Sequence, residues 1–171
     1  MDKTLLGDAD GNAVSDVKIN AAGAETFIDW MLSEASKLIK EYGVEEYGDN
    51  LFYLKDDAPK YDDKIANASD ENRVIRLSTT TSVKDSGLLD YILPVFEQEY
   101  GYKVEVQSAG TGKAIAAAKY GNADVILVHS KAQEEAFVDE GFSYVLSGFD
   151  SERLSFMYNY FVLCGPSNDP T

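Results

Sequence analysis

Two runs of small hydroxyl-bearing residues and one histidine are the parts of this sequence that could do chemistry. The runs are Ser78-Thr79-Thr80-Thr81-Ser82 and Ser108-Ala109-Gly110-Thr111-Gly112, and His129-Ser130 follows farther along the chain. Each run comes after a strand-like pattern and before a helix-like one. Because the first turn of a helix carries free N–H groups and the positive end of the helix dipole, hydroxyls and amides would converge there. The pattern predicts a site for a small anion built without charged side chains.

The same residues also have other interpretations, which the sequence leaves open. Serine and threonine commonly cap helices and fill turns. His129 at a strand end bonds a backbone carbonyl, lines the cleft, or acts as the base for a serine nucleophile. A hydrolase is the least favoured of these, because no serine lies in a G-x-S-x-G elbow.

The sequence predicts neither a metal site nor a cofactor site. The stretch with Asp8, Asp10, Asn12 and Asp16 lacks the glycine and glutamate register of a calcium loop and indicates a polar surface turn. The SAGTGK segment matches neither dinucleotide nor Walker motifs. One histidine and Cys164 cannot form a typical structural zinc site, and a lone cysteine forms no internal disulfide.

The segments around these residues alternate between strand and helix. A helix is expected over roughly 21–42 with Asn20 as its cap, although Ser33 alternatively starts a second helix after Leu32. The remaining predicted strands are 74–78, 103–107 and 123–129, and the remaining predicted helices are 88–100, 113–120 and 131–140. This alternation predicts an α/β fold, a mostly parallel open sheet flanked by helices with right-handed crossovers.

Four further features make this prediction specific. The apolar run 123–129 indicates a strand buried on both faces. The aromatic segment 156–164 is expected to close the sheet, and Pro94 is expected to kink or divide its helix. Residues 55–72 hold six acidic residues and three lysines, which predicts a linker or surface loop.

Composition limits the classes of function. The 171 residues are 44% hydrophobic, enough for one core, and carry a net charge of −15 with a pI near 4.3. Such a charge disfavours binding to nucleic acid, whose phosphates it repels. No apolar run reaches the roughly 20 residues of a membrane-spanning helix. The start, MDKTLLGDADG, lacks the pattern of a secretory signal, although such a signal could have been removed.

The segment RLSTTTSVKDSGLLDYILPVFEQEYGYKVEVQSAGTGKAIAAAKYGNADVILVHSKAQEEAFVDEGF resembles the start of the substrate-binding proteins of tungstate ABC importers. The hydroxyl run before DSGLLD, the GTG turn and ADVILVH carry the resemblance, which extends through FMYNYFVLCGPSNDP to about residue 170. It implies a type II periplasmic-binding fold of two lobes, one of them built from the first and last segments of the chain. It also implies an extracytoplasmic location, a transporter permease as partner, and no catalysis.

Residues 19–54 resemble the end of the same family, so the family's order is permuted in this chain. The resemblance implies one composite lobe over 1–171. Its segment 1–54 is similar to the family's C-terminal part, 55–72 is the acidic linker, and 73–171 is similar to the N-terminal part. Either tandem copies or the permutation of a single lobe would produce this order.

The resemblance also implies a set of oxyanion-binding residues: Thr80, Thr81, Ser82, Thr111, Gly112 and, near the cleft, His129. Thr79 is less firmly implied. The family's other lobe supplies an arginine and a Ser-Gly-Thr loop that this chain lacks, so we expect weak or undetectable affinity for tungstate, with molybdate as the second choice. The alternative is a lobe that no longer binds anions and serves as an interaction or sensory domain, self-associating through its open cleft. An exposed apolar patch near 156–164 would support that alternative.

Overall fold

A computed structural model describes residues 18–160 of the chain. Its helices are α1 (Ala21–Leu32), α2 (Glu34–Glu41), α3 (Val44–Tyr47), α4 (Thr81–Asp85), α5 (Leu88–Tyr100), α6 (Thr111–Lys119) and α7 (Lys131–Asp139). Its strands are β1 (Tyr53–Leu54), β2 (Val74–Thr80), β3 (Lys103–Ala109), β4 (Val125–Leu127) and β5 (Met157–Tyr158). The acidic stretch 8–16, Cys164 and positions 161–164 of the expected closing strand lie outside the described residues. Between residues 18 and 160, no helix is both long and apolar enough to cross a bilayer.

Three parallel strands form the sheet that carries the candidate site. β2 lies in the middle, with β3 on one side and β4 on the other. In this register Thr80 lies opposite Ala109, and Thr79 lies opposite Leu127. The last four side chains of β2 are buried, although they point alternately to the two faces of the sheet. This is expected for a central strand with helices on both faces. The predicted α/β class, with a mostly parallel sheet flanked by helices, is confirmed.

The predicted burial of the third strand is wrong. β4 covers only Val125–Leu127, and each of its residues is half-buried rather than buried. The reason is its place in the sheet, because β4 has β2 on one side and, among residues 18–160, no strand on the other. An apolar run indicates a strand but does not reveal whether that strand lies at an edge.

The expected closure of this sheet by the aromatic segment is also wrong for the part that the structure describes. Met157 and Tyr158 form β5, which pairs antiparallel with Tyr53 and Leu54 in a separate two-stranded sheet. The rings of Tyr53 and Tyr158 stack with centroids 5.6 Å apart. Cross-strand aromatic pairs of this kind stabilise an antiparallel pairing.

The helical segment near the start of the chain consists of two helices that break at Ser33, which was one of the two alternatives. Ser33 occupies the N-cap position of α2, as that alternative has it, but its hydroxyl makes no bond to α2. The hydroxyl donates instead to the carbonyls of Asp29, at 2.7 Å, and Trp30, at 3.3 Å. It therefore satisfies acceptors that the end of α1 leaves without an intrahelical partner.

Pro94 does not divide its helix. α5 is continuous from Leu88 to Tyr100, with Pro94 on the exposed side. Water can therefore reach the carbonyl of Asp90, whose helical hydrogen bond the proline ring removes. The opposite face of α5 is buried against the core.

An aromatic core joins α1 and α2 to the sheet and to α5. The Trp30 side chain is fully buried, and its ring centroid lies 4.7 Å from that of Phe96. Phe96 in turn stacks on Tyr102 at 5.0 Å. The Tyr100 hydroxyl donates to the Glu34 carboxylate at 2.5 Å, which adds a polar contact between α5 and α2. Residues 21–54 therefore contribute side chains to the same core as the sheet.

The acidic stretch 55–72 forms neither helix nor strand, as predicted for a loop. One of its apolar side chains, Ile65, is 3% exposed and belongs to the core. The loop is therefore anchored near its middle while its charged residues face solvent.

A buried ion pair holds the amino end of the sheet. The Asp124 side chain is 1% exposed and accepts from the Arg76 guanidinium at 2.6 Å. It also accepts from the backbone N–H groups of Arg76, at 2.7 Å, and Asn20, at 2.8 Å. Burial opposes ionisation of Asp124, but the hydrogen bonds from Arg76 and Asn20 outweigh it and lower the pKa of this carboxyl. The Asn20 side chain caps α1 at Gly23, as predicted, and donates to the carbonyl of Val74.

Candidate functional site

The first hydroxyl run is divided between the strand and the turn. β2 continues to Thr80, two residues beyond the predicted end of the strand. The Ser78 hydroxyl donates to the Ala114 carbonyl at 2.9 Å, and the Thr79 hydroxyl donates to the Leu127 carbonyl at 2.6 Å. Both side chains are buried. They connect the central strand to α6 and to β4, so they hold the elements that carry the site.

Thr80 stands at the boundary between strand and helix. Its side chain is 2% exposed, and its Oγ1 accepts from the backbone N–H of Val83 at 3.3 Å, which caps α4. The same oxygen lies 3.2 Å from the Ser82 Oγ. Thr81 and Ser82 follow on the exposed first turn of α4, a helix of only five residues.

A hydrogen bond connects the first turn with the third. The Ser82 Oγ lies 2.9 Å from the Nε2 of His129, which follows β4, and both side chains are exposed. Two residues 47 positions apart in the sequence are therefore in direct contact. Among residues 18–160, this is the one hydrogen bond that the His129 ring makes.

The second turn contributes the start of α6. Gly110 is the N-cap of this nine-residue helix and supplies no side-chain cap, while Thr111 is half-buried and Gly112 is exposed. The φ angle of Gly110 is negative, and that of Gly112 lies outside the left-handed region. The backbone conformation therefore does not require glycine at either position. A Cβ on Gly110 would meet open space, and one on Gly112 would lie 3.5 Å from the Gln133 Oε1. The glycines leave the amides of this turn accessible.

Strand register brings the three turns to one edge of the sheet. α4 begins directly after Thr80 and α6 two residues after Ala109, and these two strand residues are paired neighbours. Neighbouring strands lie about 4.8 Å apart. His129 reaches the same edge from β4, as the Ser82 contact shows. The expected convergence of the three turns is therefore observed, and the turns bring hydroxyl and amide donors beside a single imidazole.

One residue at this edge was missed by the sequence interpretation. Gln133 donates from Nε2 to the Ser130 Oγ at 3.2 Å, and its Oε1 faces Gly112. It thereby places the start of α7 beside the start of α6. The spacing of Ser130 and Gln133 is that of a capping box, S-x-x-Q, and this signal could have found it.

The described residues contain no group of three or more histidine, cysteine or acidic side chains arranged to hold a metal ion. Nor does the His129 ring have a carboxylate partner among residues 18–160. A catalytic triad needs such an acid to orient the imidazole. The exposed hydroxyls of Thr81 and Ser82 and the free amides of the first turn of α6 can donate hydrogen bonds to a guest molecule.

Comparison with known proteins supports the sequence resemblance. A family model described as a PBP superfamily domain matches residues 66–171, more than half of the chain. The tungstate-binding protein TupA of Peptoclostridium acidaminophilum is 52% identical over 96 residues, which are 56% of this chain and 31% of that protein. A putative ABC transporter anion-binding protein of Haloferax volcanii is 44% identical over 96 residues, which are 56% of this chain and 26% of that protein.

Solved structures are similar over a smaller part of the chain. The tungstate binding protein TupA from Desulfovibrio alaskensis G20 is 41% identical over 41% of this chain and 28% of its own, with a TM-score of 0.40. The present chain spans less than a third of the length of each of these three proteins. The predicted resemblance to binding proteins of this kind is confirmed.

Proposed function

Because this chain belongs to the family of the PBP superfamily domain, we propose that it forms one lobe of a protein that binds a tetrahedral oxyanion for an ABC importer. The observation that carries the proposal is the meeting of Ser82 with His129 at the edge where the turns after β2 and β3 also end. The relative from Peptoclostridium acidaminophilum, named for tungstate binding, favours tungstate as the anion, with molybdate second.

In this proposal the hydroxyls of Thr81, Ser82 and Thr111 and the backbone amide of Gly112 donate hydrogen bonds to the anion. Thr80 and His129 contact Ser82 and set the position of its hydroxyl. Neutral donors suit a protein of net charge −15, because several short hydrogen bonds can hold a dianion without a buried cation. The negative charge of the whole chain slows the encounter with the anion without preventing binding.

We further propose that the chain is one composite lobe in which a tail-like segment precedes a head-like one. The segments are 1–54, the acidic linker 55–72, and 73–171. Support comes from the shared core, where Trp30 of α1 lies against Phe96 of α5, and from the hydrogen bond between Asn20 and Asp124. The proposed location is extracytoplasmic, with a transporter permease as partner.

The edge that would hold the anion is open, since both Ser82 and His129 are exposed. A second lobe that supplied further donors would close over it. Each lost charge-assisted hydrogen bond costs about 1.5–3 kcal/mol, so the isolated chain should bind many-fold more weakly than a two-lobed protein.

A calorimetric titration tests this proposal. Tungstate, molybdate, sulfate and phosphate are added separately to this chain and to a version in which the second lobe has been restored. We expect the restored protein to bind tungstate tightly and the present chain to show weak or undetectable heats. A restored protein that ignored all four anions would contradict the transport role.

A specific observation favours interaction with another protein as a second candidate function. Tyr53, Tyr158 and Tyr160 form a tyrosine cluster with ring centroids 5.3 to 5.6 Å apart, in which Tyr158 is 41% and Tyr160 67% exposed. Exposed aromatic surface is typical of association sites. Light scattering separates the two functions, since a mass of one chain at high concentration would count against self-association.

A further inference from the structure

The contact between Ser82 and His129 belongs to a series of hydrogen bonds in which donor and acceptor can be assigned. The backbone N–H of Val83 donates to the Thr80 Oγ1, so this oxygen is already an acceptor. The Thr80 hydroxyl proton then requires an acceptor of its own, because this side chain is 2% exposed. The Ser82 Oγ, 3.2 Å away, is the acceptor that the described structure offers. In this arrangement the Ser82 oxygen accepts a hydrogen bond from the Thr80 hydroxyl, and the Ser82 hydroxyl has one hydrogen of its own to donate.

The state of the His129 ring decides where that last proton goes. A hydroxyl has one donor and two acceptor positions. When the imidazole is neutral and carries its hydrogen on Nδ1, the Ser82 hydroxyl donates to Nε2 across the 2.9 Å contact. When the imidazole is protonated, Nε2–H donates to Ser82 instead. The Ser82 oxygen then accepts from both neighbours, and its own proton is left for another acceptor.

We infer that His129 is a positioning residue that makes oxyanion binding dependent on pH by reversing its hydrogen bond with Ser82. This inference rests on the proposed function, since the acceptor of the released proton is the anion. Protonation of His129 turns Ser82 into a donor toward the site. Reciprocally, a bound anion favours the protonated ring. Histidine is the side chain whose charge ordinarily changes near neutral pH.

The first four residues of the three helices that begin at this edge include the charged side chains Lys84, Lys113, Lys131 and Glu134, and Asp85 follows at the end of α4. Three of them have partners of opposite charge. Lys84 pairs with Asp90 at 2.6 Å, Lys131 with Glu135 at 3.6 Å, and Glu134 with Arg153 at 2.6 Å. Lysines and carboxylates ordinarily titrate far from neutrality. Of the ionisable residue types at this edge, histidine is the one that ordinarily changes charge near neutral pH.

The first test uses nitrogen NMR of the full chain, whose single histidine gives unambiguous ring signals. At about pH 8.5, where an ordinary imidazole is neutral, we expect His129 to carry its hydrogen on Nδ1. Ser82→Ala should shift the ring toward the Nε2–H form that an unrestrained imidazole favours. Ser130→Ala is the matched control, because Ser130 is adjacent in sequence but bonds to Gln133. If the ring hydrogen of the unmodified chain were on Nε2 instead, the inference would be wrong, and the proposed function would still stand.

The second test measures sulfate binding from amide shifts at about pH 5.5 and about pH 8.5, with ionic strength held constant by chloride. Sulfate keeps the same charge at both values. We expect sulfate to bind about five-fold more tightly at the lower pH, because a change of this size corresponds to the net free energy of one hydrogen bond. His129→Gln should abolish this pH dependence. Ser82→Ala should leave only the smaller dependence that comes from direct attraction between the charged ring and the anion.

Two outcomes of the second test would contradict the inference in different ways. An equal pH dependence in Ser82→Ala and in the unmodified chain would mean that the ring charge acts without Ser82, which overturns the inference and leaves the proposed function standing. An absence of amide shifts at both pH values would overturn the inference, because the expected gain in affinity would be missing, and the proposed function would fall with it if the restored two-lobed protein also bound none of the four anions.

Discussion

The two ends of the three-stranded sheet use polar residues in opposite ways. At the amino end, Asp124 is 1% exposed and its oxygens accept from Arg76 and Asn20. At the carboxyl end, Ser82 and His129 are exposed and bond to each other across two turns. The first arrangement leaves no hydrogen-bonding capacity for a ligand, whereas the second leaves donors that face solvent. Polar residues that satisfy one another hold the lobe together, and polar residues with capacity to spare are the candidates for binding.

The largest expected effect comes from the amino end. Asp124→Ala leaves the half-buried Arg76 guanidinium without its partner, and breaking a buried pair in this way lowers the free energy of unfolding by about 3–5 kcal/mol. Urea denaturation measures the change through the fluorescence of Trp30, the one tryptophan in the chain, which is fully buried.

Asp90→Ala is the control for that variant. Its pair with Lys84 also has a 2.6 Å separation, but the Asp90 side chain is 66% exposed. An exposed pair contributes within about 1 kcal/mol. Equal losses in the two variants would mean that burial does not distinguish the two pairs, and the contrast between the ends of the sheet would fail.

The next largest effect distinguishes two threonines of the same hydroxyl run, one buried and bonded within the fold and one exposed. Thr79→Val keeps the shape of the buried side chain but leaves the carbonyl of the half-buried Leu127 without its 2.6 Å donor, which should lower the free energy of unfolding by about 1–3 kcal/mol. Thr81→Val, two positions along and exposed, should change it by no more than about 0.5 kcal/mol. Chemical denaturation of both variants makes the comparison, and similar losses would refute the division.

This division shows what the sequence could and could not predict. Strand and helix periodicity located β2, β3, α5 and the turns that meet at one edge, because these features depend on local patterns. The pattern did not predict that Ser78 and Thr79 point into the structure, since their acceptors lie in α6 and β4. The edge position of β4 and the pairing of β5 with β1 depend on strand order, which a single strand's sequence does not specify. The expected convergence of strand ends placed Ser82 and His129 at the same edge, but the sequence did not predict the hydrogen bond between them.

The pKa of Asp29 is shifted in the opposite direction from that of Asp124. Burial, and then the charge of Glu25, raises the pKa of Asp29 to about 6. The folded chain therefore binds this proton more tightly than the unfolded chain. The resulting stabilisation is present in acid and is lost as the pH rises from 3.8 to about 6. Asp124 has the opposite sign, because its lowered pKa stabilises the fold above the ordinary aspartate range and not below it.

Asp29→Asn should therefore raise the free energy of unfolding near pH 7 by about 1 kcal/mol, a value reduced for the partial exposure of the group. The gain should vanish near pH 4, where aspartate is already largely protonated in the folded chain. Denaturation at the two pH values gives the result, with the exposed Asp85→Asn as the control. A gain of equal size at both values would mean that titration of Asp29 is not its cause.

The smallest expected effect is on ester hydrolysis. A serine 2.9 Å from an imidazole has the geometry of a nucleophile and its base, but His129 has no carboxylate partner among residues 18–160 to orient its ring. The chain and its His129→Ala variant should therefore hydrolyse an activated ester at the same background rate. Loss of a measurable rate in His129→Ala, and again in Ser82→Ala, would identify the pair as catalytic and would change the meaning of the exposed end of the sheet. Equal rates would leave hydrogen-bond donation as the chemistry that this end performs, in contrast to the closed ion pair at the other end.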